Sequence, residues 1–263
     1  MLLSVLGALF CCLSFAIDLR TLYVAPGGDV RGVVAQSGPV DLVPAVEAAA
    51  VAWESLIGDD WSIEIAYGWS DSIGGALAQY WGWWMPFGDG RHFMGRILFN
   101  PSFAWYGGFG AVPSDRFDLL TVATHELGHS LSIGVGPLWS SEVADGDVDV
   151  RWPLSLAGQS FRVAGDHLED SSTLMYFGVA PGQRKWITDI DRDVAAQVSK
   201  FTNVVPEPLG GLIFFVGLVG LVLGGKRQSV RKSSCQSCHF PFSSPRLGLF
   251  PELFPSECVY SQQ

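Results

Sequence analysis

The pair His125 and His129 is the feature that most constrains how this 263-residue chain can fold. Residues four apart face the same side of an α-helix, one turn from each other. Apolar side chains repeat at helical spacing on a different face of the same segment, at Leu120, Ala123, Leu127 and Leu131. The pattern therefore predicts a helix over residues 115–132, with one face toward a core and two imidazoles able to reach one metal ion.

The distribution of cysteine limits which ligands could complete such a site. The chain has five cysteines, and all of them lie outside residues 13–234, at Cys11, Cys12, Cys235, Cys238 and Cys258. A domain within that interval has neither a disulfide nor a thiolate site, so a transition metal there must be held by His or carboxylate. The net charge of −10 argues against nucleic acid as a partner, and 48% hydrophobic residues suffice for a core.

Both ends of the chain have the composition of targeting segments. Residues 2–16 are apolar and uncharged, with Ser14 and Ala16 at the −3 and −1 positions of a cleavage site. Residues 1–16 are therefore predicted to be a secretory signal peptide that is cut before Ile17. Residues 209–225 form an uncharged apolar run long enough to span ~30 Å of hydrocarbon as a helix. For both segments the alternative is burial in the core of the protein.

A Pro-Glu-Pro motif at residues 206–208 directly precedes the second apolar run, and a basic cluster directly follows it. This order resembles the PEP-CTERM sorting signal of Gram-negative bacteria, over residues 205–232. The resemblance implies export, transient anchoring in the inner membrane through residues 209–225, and processing by an exosortase-type enzyme. The mature protein is then expected in the cell envelope or outside the cell. Residues 233–263 continue past the signal, and we expect them to be a disordered tail.

The body, residues 17–204, is predicted to form one domain, because no long polar linker or internal repeat divides it. Hydrophobic periodicity and end signals predict helices over residues 44–57, 115–132 and 188–200, and strands over residues 22–24, 61–69 and 93–99. The aromatic stretch at residues 79–87 stays unassigned, and the chain between the second and third helices is predicted to be irregular. This mixture predicts the α+β class, with helices packed on one twisted sheet.

The candidate chemistry is concentrated in His125-Glu126-Leu127-Gly128-His129, an H-E-x-x-H motif. Glu126 follows the first histidine directly, so its carboxylate can hold a water molecule beside a metal bound by the two imidazoles. Catalytic zinc sites use three protein ligands and leave the fourth position to water. The sequence therefore requires a third ligand outside the helix.

The motif resembles the metzincin signature, which continues with a glycine three residues after the second histidine and a third ligand three residues later. Here Ser132 and Val135 occupy those positions, so the compact signature is broken, although Gly134 or Gly136 could supply the turn. A second match lies downstream, where His167 precedes Leu174-Met175-Tyr176.

This spacing resembles leishmanolysin-like metzincins, in which a long insertion separates the second and third histidines and a methionine-containing turn passes beneath the metal. The resemblance implies a metzincin-like zincin fold with a twisted mixed sheet, an active-site helix and a C-terminal helix. It implies Zn²⁺ held by His125, His129 and His167, above a Met-turn at Met175. Glu142 and His92 are the rival third ligands, and His92 is expected to be a surface residue.

The resulting hypothesis is an exported zinc-dependent endopeptidase that hydrolyses a peptide or protein substrate through a zinc-activated water, with Glu126 as general base. A strand at residues 93–99 is expected to form the sheet edge that aligns the substrate. The alternative is a non-catalytic surface-anchored protein, with either a structural zinc site or a degenerate peptidase-like module. Ser132 and Val135 are the residues that suggest such a degenerate module.

Overall fold

The computed structural model describes residues 17–85, 89–143, 145–151, 153–202 and 204. The predicted signal peptide, sorting signal and tail lie outside the described residues. Within those residues, no helix combines the length and the apolar character needed to cross a membrane.

Four strands form the central sheet: β1 (Asp18–Tyr23), β2 (Ser62–Trp69), β3 (Ala78–Trp84) and β4 (His92–Phe99). Their order is β1-β2-β4-β3, with β1, β2 and β4 parallel and β3 antiparallel at one edge. The strand predicted at residues 93–99 exists, but it is interior. Its expected role as the substrate-aligning edge is wrong, because β2 and β3 pair with it on both sides. The edge strand is β3, from the unassigned aromatic stretch, and it contacts the helix that carries His125 and His129.

Four helices accompany the sheet: α1 (Val43–Glu54), α2 (Leu119–Ser130), α3 (Gly136–Glu142) and α4 (Asp189–Ser199). The helix predicted over residues 115–132 begins later, at α2, because Asp118 is its N-cap and accepts a hydrogen bond from the Thr121 main-chain N–H at 3.1 Å. The helix predicted over residues 188–200 is α4, which lies between an N-cap at Thr188 and a left-handed C-cap at Lys200.

The chain between α2 and α4 is more regular than predicted. It contains α3 and an antiparallel three-stranded sheet made of β7 (Asp147–Asp149), β8 (Ser160–Ala164) and β9 (His167–Leu168). A further parallel pair precedes α2, made of β5 (Trp105–Tyr106) and β6 (Phe117–Asp118). The prediction of an irregular stretch was wrong because such short elements show too few turns or alternations for periodicity to detect.

One large apolar cluster joins the inner face of the sheet to all four helices and to the short strands. Its fully buried members include Trp53 of α1, Ile65 of β2, Phe99 of β4 and Leu127 of α2. A mixed sheet with four helices confirms the predicted α+β class. The core also fixes α2 against β3, so one face of α2 meets the free edge of the sheet.

Candidate metal centre

Three imidazoles, two from α2 and one from β9, meet in a largely buried cluster. The rings of His125 and His129 lie 4.9 Å apart between centroids. His167, on β9, places its ring 5.0 Å from that of His125 and 5.2 Å from that of His129. One ring nitrogen from each residue lies within 4.8 Å of the others. The structure therefore brings together the three histidines that the sequence singled out, although 42 positions separate His125 from His167.

Each histidine is oriented by a hydrogen bond from its Nδ1. The acceptors are Leu174 O for His125 at 2.9 Å, Ile133 O for His129 at 2.7 Å, and Asp166 Oδ1 for His167 at 2.5 Å. Carbonyl and carboxylate oxygens only accept, so each Nδ1 carries the proton. In a neutral ring of this tautomer Nε2 has a free lone pair, which is the form that a metal requires.

The donor set and its spacing fit a tetrahedral metal ion. Ligands ~2.0–2.1 Å from such an ion are ~3.3 Å from each other, and His125 Nε2 lies 3.1 Å from His167 Nε2. Burial, followed by the neighbouring imidazoles, lowers the pKa of His125 well below its usual value and that of His129 to about 4. Both rings are therefore neutral near pH 7. Among the described residues, no fourth His, Cys, Asp or Glu joins the group.

Glu126 is buried beside this cluster. Its carboxylate accepts a hydrogen bond from the main-chain N–H of Tyr80, a residue of the edge strand β3. Burial raises the pKa of Glu126 to about 8, the charge of Asp166 adds to the rise, and the Tyr80 N–H opposes it. The carboxyl group can thus exchange a proton near neutral pH, one residue away from a candidate ligand.

Met175 lies beneath the histidine-bearing helix. Its side chain is fully buried, and its Sδ occupies the space that a Cβ on Gly128 would need. The buried Asp191 carboxylate accepts the main-chain N–H groups of Leu174 and Met175, each at 2.9 Å. Since Leu174 O orients His125, the start of α4 holds the segment that positions both Met175 and one histidine.

The turn after α2 is made by a residue that the metzincin pattern does not use. Ser132 adopts a left-handed conformation with φ of 66°, and its N–H donates to His129 O at 3.0 Å. Gly134 follows with φ of 77°, and a side chain there would collide with the main-chain carbonyl of Asp166. Glycine at position 134 therefore permits the close approach of the segment that carries His167.

The rival ligands lie elsewhere. Glu142 pairs with Arg151 at 3.2 Å and with the amide of Gln197 at 3.2 Å. The expectation that His92 is a surface residue is wrong, since its side chain is only 1% exposed and contacts the ring of Tyr80. Its Nδ1 donates to Ser130 O at 3.2 Å, and burial lowers its pKa to about 4. Neither residue joins the cluster.

A cavity of about 480 Å³, termed here the Lys185 pocket, adjoins His125 and Glu126. Its other walls come from α2, from residues 75–78 before and at the start of β3, and from the chain after Met175. Lys185, which was not predicted as a site residue from the sequence, also lines the pocket. The pocket therefore gives a ligand access to His125 and Glu126 from this side.

The residues that orient the cluster were not predicted from the sequence. Asp166 directly precedes His167 and accepts a hydrogen bond from its Nδ1. An acidic residue next to a candidate histidine ligand can therefore indicate which group binds the ring nitrogen that does not face the metal. From the sequence, Asp191 can be identified only as a helix-capping residue, and in the structure it forms a capping box with Thr188. Nothing in its sequence context shows that the same carboxylate also binds the chain at Met175.

Comparison with known proteins identified no relative of this chain. No protein-family model matches the chain, and no curated protein matches it in sequence.

Proposed function

We propose that this chain is an exported zinc-dependent endopeptidase of the metzincin type. The observation that carries the proposal is the convergence of three oriented imidazoles beside Glu126 at the mouth of a cavity. Three imidazoles suit zinc, and a three-ligand site keeps an open position for reaction. Zinc held there by His125, His129 and His167 would polarise a scissile carbonyl and lower the pKa of the attacking water.

Glu126 acts as the general base in this proposal. Its carboxylate accepts a proton from the attacking water and passes that proton to the nitrogen of the leaving amine. The Tyr80 N–H holds the carboxylate at the edge of the sheet, which leaves its second oxygen available for this transfer. Burial raises the pKa of Glu126 and so favours its protonated form. A bound cation would lower this pKa, because it favours the charged form.

Edge strand β3 aligns the substrate. Because β3 pairs only with β4 among the described strands, its other side offers main-chain groups to an added strand. Because Glu126 accepts the Tyr80 N–H, β3 lies beside the proposed base, and a peptide added along β3 would lie close to the cluster. This edge supports a substrate that binds as an extended peptide.

The metzincin assignment is supported by the elements around the cluster. Met175 packs beneath α2 as a Met-turn would, and α4 supplies the C-terminal helix that the resemblance implies. The long separation of His129 and His167 resembles the leishmanolysin-like arrangement. The proposal places the enzyme outside the cytoplasm, after cleavage of residues 1–16, transient anchoring through residues 209–225 and processing by an exosortase-type enzyme.

The non-catalytic alternative finds less support in the site. A structural zinc site is usually closed by four ligands, and the described part of the chain offers three. The degenerate-module hypothesis depended on Ser132 and Val135. However, Ser132 makes the turn itself, and His167 approaches in place of a ligand at position 135.

Glu126→Gln tests the proposal. In the zinc-loaded full chain, we expect peptide hydrolysis to fall by about 10²–10⁴-fold while one zinc per chain is retained, because the base is lost and no ligand is removed. Casein digestion measures activity, and atomic absorption measures zinc. Glu142→Gln is the matched control and should keep wild-type activity. Equal turnover by wild type and Glu126→Gln would refute the proposed base, and a zinc-loaded wild type without hydrolysis would favour the binding module.

A further inference from the structure

We propose that the Lys185 pocket selects an acidic side chain on the substrate residue that supplies the leaving amine, and that Lys185 binds this carboxylate. The inference deepens the proposed peptidase function and rests on it. It concerns which peptide bond the enzyme prefers, whereas the metal cluster concerns only how a bond is broken.

The position of the pocket determines which substrate residue enters it. The pocket is lined by Glu126 and His125 but by neither His129 nor His167. Glu126 must reach the leaving nitrogen in order to protonate it, so the pocket lies on the leaving-amine side of the scissile bond. The side chain of the residue that carries this nitrogen is therefore the one nearest the pocket mouth.

Lys185 is a half-buried cation that has no ion-pair partner among the residues that the structure describes. Its Nζ donates to Ser171 O at 3.0 Å and to Thr173 O at 3.1 Å, and it lies 4.8 Å from the centroid of the Tyr176 ring. Among the described residues, no carboxylate oxygen lies within 4.0 Å of it. An ammonium group has three donors, and two of them bind these carbonyls, while the Tyr176 ring beside the Nζ is itself part of the pocket lining.

The neighbouring charges do not satisfy Lys185. Asp170 and Asp191 act on it only at a distance, and burial lowers its pKa more than they raise it. The Asp191 carboxylate is fully buried and already accepts main-chain N–H groups and the Thr188 hydroxyl. The adjacent Arg184, by contrast, is fully paired with Asp118 at 2.7 Å. Lys185 is thus the basic residue in the lining of the pocket, and among the described residues no carboxylate pairs with it.

The rest of the lining strengthens this charge and leaves room for a ligand. Apolar side chains form most of the other walls: Leu77, Val122, Leu174 and Val179. Apolar walls lower the local dielectric constant and strengthen attraction between opposite charges. Gly75 and Gly178 border the pocket with open space where a side chain would stand, so the mouth is unobstructed. A glutamate side chain fits easily within about 480 Å³.

A large apolar side chain is the competing occupant, because the same walls would also accept leucine. The two occupants differ in one measurable property. A preference based on charge depends on Lys185 and falls with salt, whereas a preference based on apolar area does neither.

Matched peptides that differ only at the leaving-amine residue test the proposal. The cleaved bond is located by mass spectrometry, and kcat/KM is compared for Glu, Gln and Leu at that residue. In the wild-type full chain at low salt, Glu should exceed Gln and Leu by about tenfold, as expected for a charge-assisted contact. A ratio of Glu to Gln near one, or a preference for Leu, would overturn the proposal.

Substitutions at Lys185 distinguish an electrostatic role of this side chain in substrate selection from a purely structural role. Lys185→Met should bring the Glu/Gln ratio to about one, Lys185→Glu should reverse it, and Lys185→Arg should largely preserve it. A merely structural role, through the carbonyls of Ser171 and Thr173, would change kcat/KM for all the peptides by the same factor and leave the ratio intact. That outcome would also overturn the proposal.

A binding measurement separates this inference from the peptidase proposal. Zinc-loaded Glu126→Gln is titrated with the same peptides by calorimetry, and the Glu peptide should bind about tenfold tighter than the Gln peptide. If wild type hydrolyses no peptide but this difference persists and disappears in the Lys185→Met background, the pocket assignment stands and the peptidase proposal fails. If hydrolysis depends on Glu126 but the Glu and Gln peptides do not differ, the peptidase proposal stands and the pocket assignment fails.

Discussion

The candidate metal centre has two halves that are held by different kinds of contact. The helix half consists of His125, Glu126 and His129, which lie on adjacent turns of α2, so the helix's own hydrogen bonds set their spacing. The loop half consists of His167, on the two-residue strand β9, and Met175. Its position depends on residues that are distant in sequence.

Two contacts carry most of that dependence. Asp191 of α4 binds the main chain at Leu174 and Met175, and Met175 in turn packs against Gly128 of α2. The difference between the halves shows that one set of candidate ligands can be positioned partly by local helix geometry and partly by tertiary contacts. Changes far from the metal should therefore disturb the loop half and spare the helix half.

The largest expected effect comes from His167→Ala. Removing one of three ligands should weaken zinc binding on the order of a thousandfold, about 4 kcal/mol. The metal-free chain should keep its circular dichroism spectrum, because the helix half does not depend on this residue for its conformation. Zinc affinity is measured by competition with a fluorescent chelator. Glu142→Ala is the control and should bind zinc as wild type does, whereas the reverse result would make Glu142 the third ligand.

Asp191→Asn tests the anchor of the loop half. The amide retains one acceptor oxygen and presents an NH₂ group to buried N–H donors, so the free energy of unfolding should fall by ~3 kcal/mol. Zinc affinity should fall by about 10–100-fold, as the orientation of His125 and the Met-turn is loosened. Urea denaturation of the metal-free chain gives the first value. The half-exposed Asp189, paired with Arg192, provides the control: Asp189→Asn should cost less than ~1 kcal/mol.

Gly128→Ala tests the contact between the halves. Alanine favours a helix by ~1 kcal/mol over glycine, but its Cβ would occupy the position of Met175 Sδ, and the net cost should be ~2 kcal/mol. The double variant Gly128→Ala/Met175→Ala should lose less stability than the sum of the two single variants. Strict additivity would show that Gly128 and Met175 do not touch in the folded protein.

Ser132→Gly should have the smallest effect, and a stabilising one. A left-handed conformation costs a non-glycine residue ~1 kcal/mol or more, so glycine should raise the free energy of unfolding by ~0.5–1 kcal/mol. Ser130→Gly is the matched control within α2 and should destabilise, because helical backbone disfavours glycine. If both substitutions destabilise alike, Ser132 is not strained.

Periodicity predicted the longer elements for reasons visible in the structure. The helix predicted over residues 188–200 became α4 because Thr188 and Lys200 cap it, and caps are local signals. Strand β3 escaped assignment because aromatic residues occupy both of its faces. Tyr80 points into the core, while Trp81 and Trp83 face the other side and stack on Arg96. Hydrophobicity therefore does not alternate along β3.

The sequence by itself determined the α+β class and the helix half of the candidate metal centre, because spacing along a helix depends only on neighbouring residues. Tertiary structure decided the loop half. His92 and His167 are both buried and both approach α2, yet His92 donates to Ser130 O while His167 reaches His125. Which histidine meets the other two depends on how the chain returns to α2, and that path is set by long-range packing at Gly134 and Asp191.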